Sequence, residues 1–245
     1  MLPKCATCGQ WAQKQSDEVG ASIAKVKSGD FNGYHVEVIA KAGAVGAIPA
    51  LEEQFGRKTE VPVKEQIASA LVRLGDKDNT YWNYLEEQAQ LAVDSDIPDA
   101  VFSESQGKWL EHAPSPELQA WADAHHVSAN TAGIDSIYDF PGKLLFLGKT
   151  GDPRGIPILR RALMARDYAI VAAAAKGLAQ IQDKDSISLI IAACRRAPSG
   201  YASEIARSLV YFDDPEAQST VDKYMRKLDA QATREARAHG RKPLG

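Results

Sequence analysis

Two cysteines three residues apart, Cys5 and Cys8, are the first residues of this chain whose types could do chemistry. A C-x-x-C pair supplies half of a tetrahedral zinc site. The other half needs a second such pair, or two histidines at matched spacing, and neither follows. A redox pair of the thioredoxin kind needs a strand before it and a helix after it in a βαβ setting, and no such setting is signalled. A solvent-exposed or locally disulfide-bonded terminus accounts for Cys5 and Cys8 equally well. The third cysteine, Cys194, shares an apolar repeat position with Phe55, Leu163 and Met225, so it reads as a small buried hydrophobe.

The five histidines are His35, His112, His125, His126 and His239. Neighbouring residues on a helix diverge by about 100°, so His125 and His126 do not face one metal. Asp123 and His126 share a face, but a histidine at a helix end that complements the dipole explains them as well. Glu111-His112 is a His-Glu pair in reverse order. No G-x-S-x-G, phosphate loop or dinucleotide fingerprint occurs. The expectation is no catalytic residue, no metal and no cofactor, with an enzyme as the lesser reading.

The elements that would position any site repeat along the chain. Ile205-Ala206-Arg207-Ser208-Leu209 aligns with Ala174-Ala175-Lys176-Gly177-Leu178 at an offset of 31 (205 − 174), and with Ile67-Ala68-Ser69-Ala70-Leu71 further upstream. The preceding segment repeats too: Ala47-Ile48-Pro49-Ala50-Leu51 matches Gly155-Ile156-Pro157-Ile158-Leu159, then Ser186-Ile187-Ser188-Leu189-Ile190. A period of this length marks stacked supersecondary units, none of which buries its apolar face alone. The chain has 245 residues, 44% of them hydrophobic and only 7% aromatic. That composition suits closely crossing helices rich in alanine.

The expected fold class is all-α, a right-handed α-α superhelix with one irregular insertion. Residues 1–30 form an N-terminal segment, irregular to residue 14, with a helix from Ser16 to Lys27 for which Ser16 is the N-cap. Repeats occupy 31–93 and resume over 136–226, the insertion spans 94–135, and 227–245 is a basic helix or tail. Pro49 and Pro62 stand in first turns, where a missing N–H costs nothing. Gly43 and Gly75 close helices, and Gly148 is expected to do the same. Pro141-Gly142 should kink or delay the helix over 136–147. Ser115-Pro116-Glu117 starts a further helix inside the insertion.

The paired pattern A-I-P-x-L, then I-A-x-A-L-x-x-L-G-D, resembles bacterial HEAT-like repeats, the kind first named for phycobilisome lyases. The similarity covers Tyr34 to Val93 and Ser136 to Met225. It implies a solenoid; members of the group include scaffolds, chromophore lyases, a diiron hydroxylase and DNA-repair glycosylases. The group's second helix often begins Asp-x-x-Val-Arg, with charges that ladder along the stack. Here Val63-Lys64 and Asp167 keep only parts of it, so the ladder is weak or rebuilt from other residues.

Outward positions of the second helices then form the expected concave binding surface: Arg73, Lys176, Gln180, Glu204, Arg207 and Tyr211. Arginine and tyrosine are residue types that anchor interfaces. The expected function is a non-catalytic scaffold for a protein or peptide partner. The alternatives are a lyase or transferase, or nucleic-acid binding through the basic tail, where seven bases face two acids from Lys223 onward. From Asp76 to Asp139 thirteen acids stand against two bases, and the net charge is −3. A nucleic-acid reader would want a basic, aromatic-lined face, whereas the outward positions are mixed, so nucleic acid is not the expected partner. No membrane span is signalled. Met1–Gln10 lacks a leader's apolar stretch, which points to the cytoplasm, with export after leader removal as the alternative.

Overall fold

The computed structural model describes residues 6–58, 60–94 and 132–225. Among them the secondary structure is helical, with no strand. The chain divides into two compact units, Met1–Leu85 and Glu86–Gly245. In each, helices pair and the pairs stack in tandem, which is the α-α solenoid arrangement. The expected insertion lies mostly outside the described residues. So do Cys5, Ser115-Pro116-Glu117, Glu111-His112, Asp123, His125, His126, His239 and the basic tail.

The first unit holds α1 (Ala6–Ser28), α2 (Gly33–Lys41), α3 (Ile48–Arg57) and α4 (Val61–Gly75). Helix α1 lies against α2 and α3, and α4 lies against α2 and α3. Val26, Ile39, Leu51, Ile67 and Leu71 form the buried core. Each such side chain contributes about 1.5–3 kcal/mol of transfer free energy. Helix α1 corrects two expectations: it runs unbroken from Ala6, so residues 6–14 are not irregular and Ser16 is no cap but an exposed mid-helix residue. Alanine, glutamine and lysine dominate this stretch and favour continuing the helix. The cap of α2 is Asn32, whose Oδ1 accepts the Tyr34 N–H at 3.1 Å while His35 Nδ1 accepts the Asn32 N–H at 3.1 Å. His35 is thus a capping side chain. Gly43 (φ +62°) and Gly75 (φ +104°) end their helices in the left-handed region, as expected.

Helix α5 (Thr80–Asp94) runs across the boundary between the units. In the first unit its Trp82 and Leu85 are buried, and Tyr81 and Tyr84 meet the Phe55 ring edge-on at 5.1 and 5.2 Å. Lys64 Nζ lies 4.5 Å from the Phe55 centroid and 5.4 Å from that of Tyr84.

The second unit contains α6 (Ala132–Lys149), α7 (Ile156–Ala162), α8 (Tyr168–Ile181), α9 (Ile187–Arg196), α10 (Ser199–Leu209) and α11 (Pro215–Tyr224). Helix α8 lies between α6 and α10, so the second helices form one row, and α7, α9 and α11 stand behind them. Pro141 does not delay α6, which starts at Ala132 and continues through it to Lys149. Phe140, Leu144 and Leu147 are buried along that helix and hold it against its neighbours.

Gly148 is a further correction. It does not stop α6; the left-handed residue there is Gly151 (φ +71°). A Cβ on Gly148 would stand 2.3 Å from the Gly177 Cα, and one on Gly177 would stand 3.0 Å from Leu159 Cδ2. The two glycines let α6 and α8 cross backbone to backbone.

Aspartates at the ends of second helices govern the junctions. Asp76 accepts the N–H groups of Tyr81 and Trp82, each at 2.9 Å. Asp152 accepts the Arg154 N–H and Asp214 the Ala217 N–H, both at 2.9 Å. Asp183 does more. Arg160 on α7 grips it with Nε on Oδ2 and Nη2 on Oδ1, both at 3.0 Å, and Ser186 donates to the same carboxylate. Arg160 Nε also donates to Ser186 Oγ at 2.8 Å. The charged ladder between repeats is thus rebuilt around Arg160 and Asp183. Asp167 serves instead as the cap of α8, accepting the Ala169 N–H at 2.8 Å.

Candidate partner-binding face

The row α6–α8–α10 carries the residues that sequence spacing marks for binding in the second unit. Repeat geometry puts Lys176 and Arg207 at matching positions, 31 residues apart (207 − 176), on the neighbouring helices α8 and α10. Helix α8 turns Ile170, Val171, Ala174 and Leu178 inward, which leaves Lys176 half-buried on the opposite side. On α10, Ala202, Ile205, Ala206 and Leu209 are buried, and Glu204 and Arg207 are exposed, three residues apart on one face. Tyr211, just past the helix end, is half-buried.

Electrostatics tie these side chains together. Burial holds the Lys176 ammonium below the usual lysine range, the neighbouring charges of Lys149 and Arg207 push it further down, and Glu204 opposes them. Burial also pushes the Tyr211 phenol up, while Arg207 pulls it down. Neither Lys176 nor Arg207 has a side-chain hydrogen bond or salt bridge to any described residue. The structure therefore brings Lys176, Glu204, Arg207 and Tyr211 into one neighbourhood and adds Lys149, which sequence reasoning missed. Taking Gly148 as a helix stop hid it. The available signal was a base in what is now seen as the last turn of α6, with its Nζ 5.2 Å from the Phe146 ring centroid.

Gln180 sits differently. It is 8% exposed, and its Oε1 lies against Gly148, where an added Cβ would come within 3.0 Å. Its surroundings are the helix crossing as much as the open face. Arg73 belongs to the first unit, where Nη1 pairs with Glu37 Oε2 on α2 at 3.0 Å and the side chain is only 19% exposed. It is a cation already held by its own unit.

Cys194 is fully buried, and burial pushes its thiol up to about 12, so it is inert at neutral pH. Among the described residues no three His, Cys, Asp or Glu side chains gather as a metal site, and no helix is long and apolar enough to cross a membrane.

Paired helices in a row, with aspartates at four junctions and small residues at the crossing, define a helical-repeat protein. The family model for HEAT repeats matches residues 144–210, all within the second unit, so this stretch is similar to HEAT repeats. No curated protein and no solved structure matches the chain.

Proposed function

We propose that the protein is a non-catalytic scaffold whose second-helix row α6–α8–α10 holds a protein or peptide partner that brings negative charge. The observation that carries this reading is the pair Lys176 and Arg207. They are cations on adjacent helices, at the same place in successive repeats, with no hydrogen-bond or salt-bridge partner for either side chain among the described residues. A half-buried ammonium pushed towards neutrality by burial, and further by Lys149 and Arg207, gains from an added anion. Tyr211 adds a rigid amphipathic surface beside them, and Glu204 limits which anions fit. Arg73 enters the proposal as a separate cation of the first unit, available only where Glu37 releases it. The HEAT match supports the scaffold reading, since stacked repeats present extended surfaces suited to partners.

The test is site-specific photocrosslinking in the native host. A crosslinker at position 207 should trap one protein stoichiometrically. A crosslinker at exposed position 192 on α9 should not, and charge reversal of Lys176 and Arg207 should abolish the product with helicity unchanged. Recovery of nucleic acid, or of a coloured small-molecule adduct, would instead support the nucleic-acid or lyase reading.

A further inference from the structure

Resting on that reading, we propose that the partner's negative charge is a phosphorylated side chain, whose phosphate Lys149, Lys176 and Arg207 hold together. The geometry begins at a glycine crossing. A Cβ on Gly148 would stand 2.3 Å from the Gly177 Cα, so the backbones of α6 and α8 meet there with no side chain between them. Lys149 directly follows Gly148, and Lys176 directly precedes Gly177. Each lysine therefore springs from a point one residue, about 3.8 Å of chain, away from the contact. Arg207 joins them from α10, which packs against α8. The charges of Lys149 and Arg207 both act on Lys176. Like charges this close weaken one another, and an anion shared between them reverses the effect.

The surroundings strengthen that gain. Lys176 is the only charged residue on α8. Ala172 and Ala173, one turn back on the same face, are buried. The half-buried ammonium is bedded in apolar surface, where charges act more strongly than in open water.

The count of charges selects the anion. Lys149, Lys176 and Arg207 against Glu204 leave a formal charge of +2 (3 − 1). A carboxylate brings one charge and two oxygens. A phosphomonoester brings about −1.5 to −2 at neutral pH and three strong acceptor oxygens, one for each cation. Tyr211 supplies a further donor, because burial pushes its phenol up against the pull of Arg207 and it keeps its proton at neutral pH. The positive charge is also confined. Helix α8 offers no second cation, and exposed Glu204 stands three residues from Arg207 and repels a continuous phosphate chain. One phosphate on a peptide uses a single patch of this kind, whereas a nucleic acid needs cations along a track.

The experiment is fluorescence anisotropy on the full chain with labelled peptides Gly-Ser-Gly-X-Gly-Ser-Gly, in which X is phosphoserine, glutamate or serine. The phosphoserine peptide should bind about tenfold more tightly than the glutamate peptide, the scale of one extra charge-assisted hydrogen bond. The serine peptide should bind more weakly still. Raising the pH through about 6, where the phosphate loses its second proton, should strengthen binding of the phosphoserine peptide and not of the glutamate peptide. Lys149→Gln, Lys176→Gln and Arg207→Gln should each lower the phosphoserine affinity by about tenfold and narrow its margin over glutamate. Arg195→Gln on α9 should change neither. Arg207 is exposed, so its variant keeps the fold even if Lys176→Gln does not. Lys149→Gln is the variant that separates the two readings, since the scaffold reading rests on Lys176 and Arg207. Unchanged affinity for Lys149→Gln, or equal affinity for the phosphoserine and glutamate peptides, overturns the phosphate assignment while leaving crosslinking at position 207 intact. Inorganic phosphate that displaces the phosphoserine peptide at an equal or lower concentration overturns the peptide as its source. Tighter binding of a thymidine oligonucleotide than of the phosphoserine peptide does the same. Loss of crosslinking at 207 overturns the functional reading itself.

Discussion

The same repeat pattern is used in opposite ways by the two units. In the first, the cations of the second helix α4 find partners on neighbouring helices: Arg73 meets Glu37 at 3.0 Å, and Lys64 lies over the rings of Phe55 and Tyr84. In the second, Lys176 and Arg207 hold matching register positions and meet no such partner among the described residues. The backbones α6 and α8 cross through Gly148 and Gly177 instead of keeping a long side chain between them. A register position therefore does not by itself leave a side chain without a partner. Whether the surrounding helices satisfy it depends on residues far away in sequence.

The comparison breaks most sharply at the cores. Leu178 and Leu71 share a register position and are both buried. Leu178→Ala and Leu71→Ala should each destabilise by about 2–5 kcal/mol in urea titrations. A loss below about 1 kcal/mol for either would mean that the units do not share one packing scheme.

The glycines should separate the units. Gly148→Ala puts a methyl 2.3 Å from a backbone atom, with no side chain free to move, and should destabilise by about 1–3 kcal/mol or more. Gly33→Ala in the first unit meets only the end of the Gln66 side chain, at 2.6 Å, which can swing away; its effect should stay below about 1 kcal/mol. Equal effects would remove the distinction between a backbone crossing and a side-chain contact.

Cys194 and Phe55 occupy one repeat position, yet only the thiol titrates. Its folded value of about 12 exceeds the ordinary 9.0, so the unfolded chain loses the proton first. The thiol's contribution to stability is full below pH 9.0 and is lost as pH rises towards 12, with a slope of at most about 1.4 kcal/mol per pH unit. Lys176 runs the other way: its folded value is lowered, so stability gains as pH approaches its ordinary 10.5. Cys194→Ala should flatten the fall measured in alkaline denaturation curves. Lys176→Met should steepen it.

The smallest effect concerns the ion pair. A double-mutant cycle on Arg73 and Glu37 should give about 0.2–1 kcal/mol of coupling. Arg207→Ala should change stability by no more than about 0.5 kcal/mol. A large loss for Arg207→Ala would give it a structural partner and remove it from the proposed binding face.

The legible part of the fold was whatever local periodicity encodes. The 31-residue offset marked the helix pairs, the first-turn prolines Pro49 and Pro62 marked starts, and the positions of Leu71, Leu178 and Leu209 marked the core. The illegible part depended on contacts. Ser16 has the chemistry of a cap, but a cap matters only where no helix precedes it. Gly148 looked like a stop because glycine is favourable both in the left-handed region and at a close crossing, and only the neighbouring helix distinguishes the two. Arg73 looked as free as Arg207 because Glu37, its partner, lies 36 residues earlier. Lys149 was hidden by the mistaken end of its helix. Within the second unit, the grouping of Lys176, Glu204, Arg207 and Tyr211 was readable because repeat register carries it.

The Arg160–Asp183–Ser186 lock has a kinetic consequence. Its partners are separated by only 23 and 26 residues, and each repeat touches chiefly its immediate neighbours. Closing so short a loop loses little chain entropy, and a fold whose contacts are local crosses its barrier quickly. The lock joins two successive pairs, so it is complete once the chain as far as Ser186 is available. Structure would then spread outward from residues 156–186 in both directions, and the same order reversed would govern opening. Under native-state hydrogen exchange the amides of α8 should be the last to exchange, and those of α11 among the first.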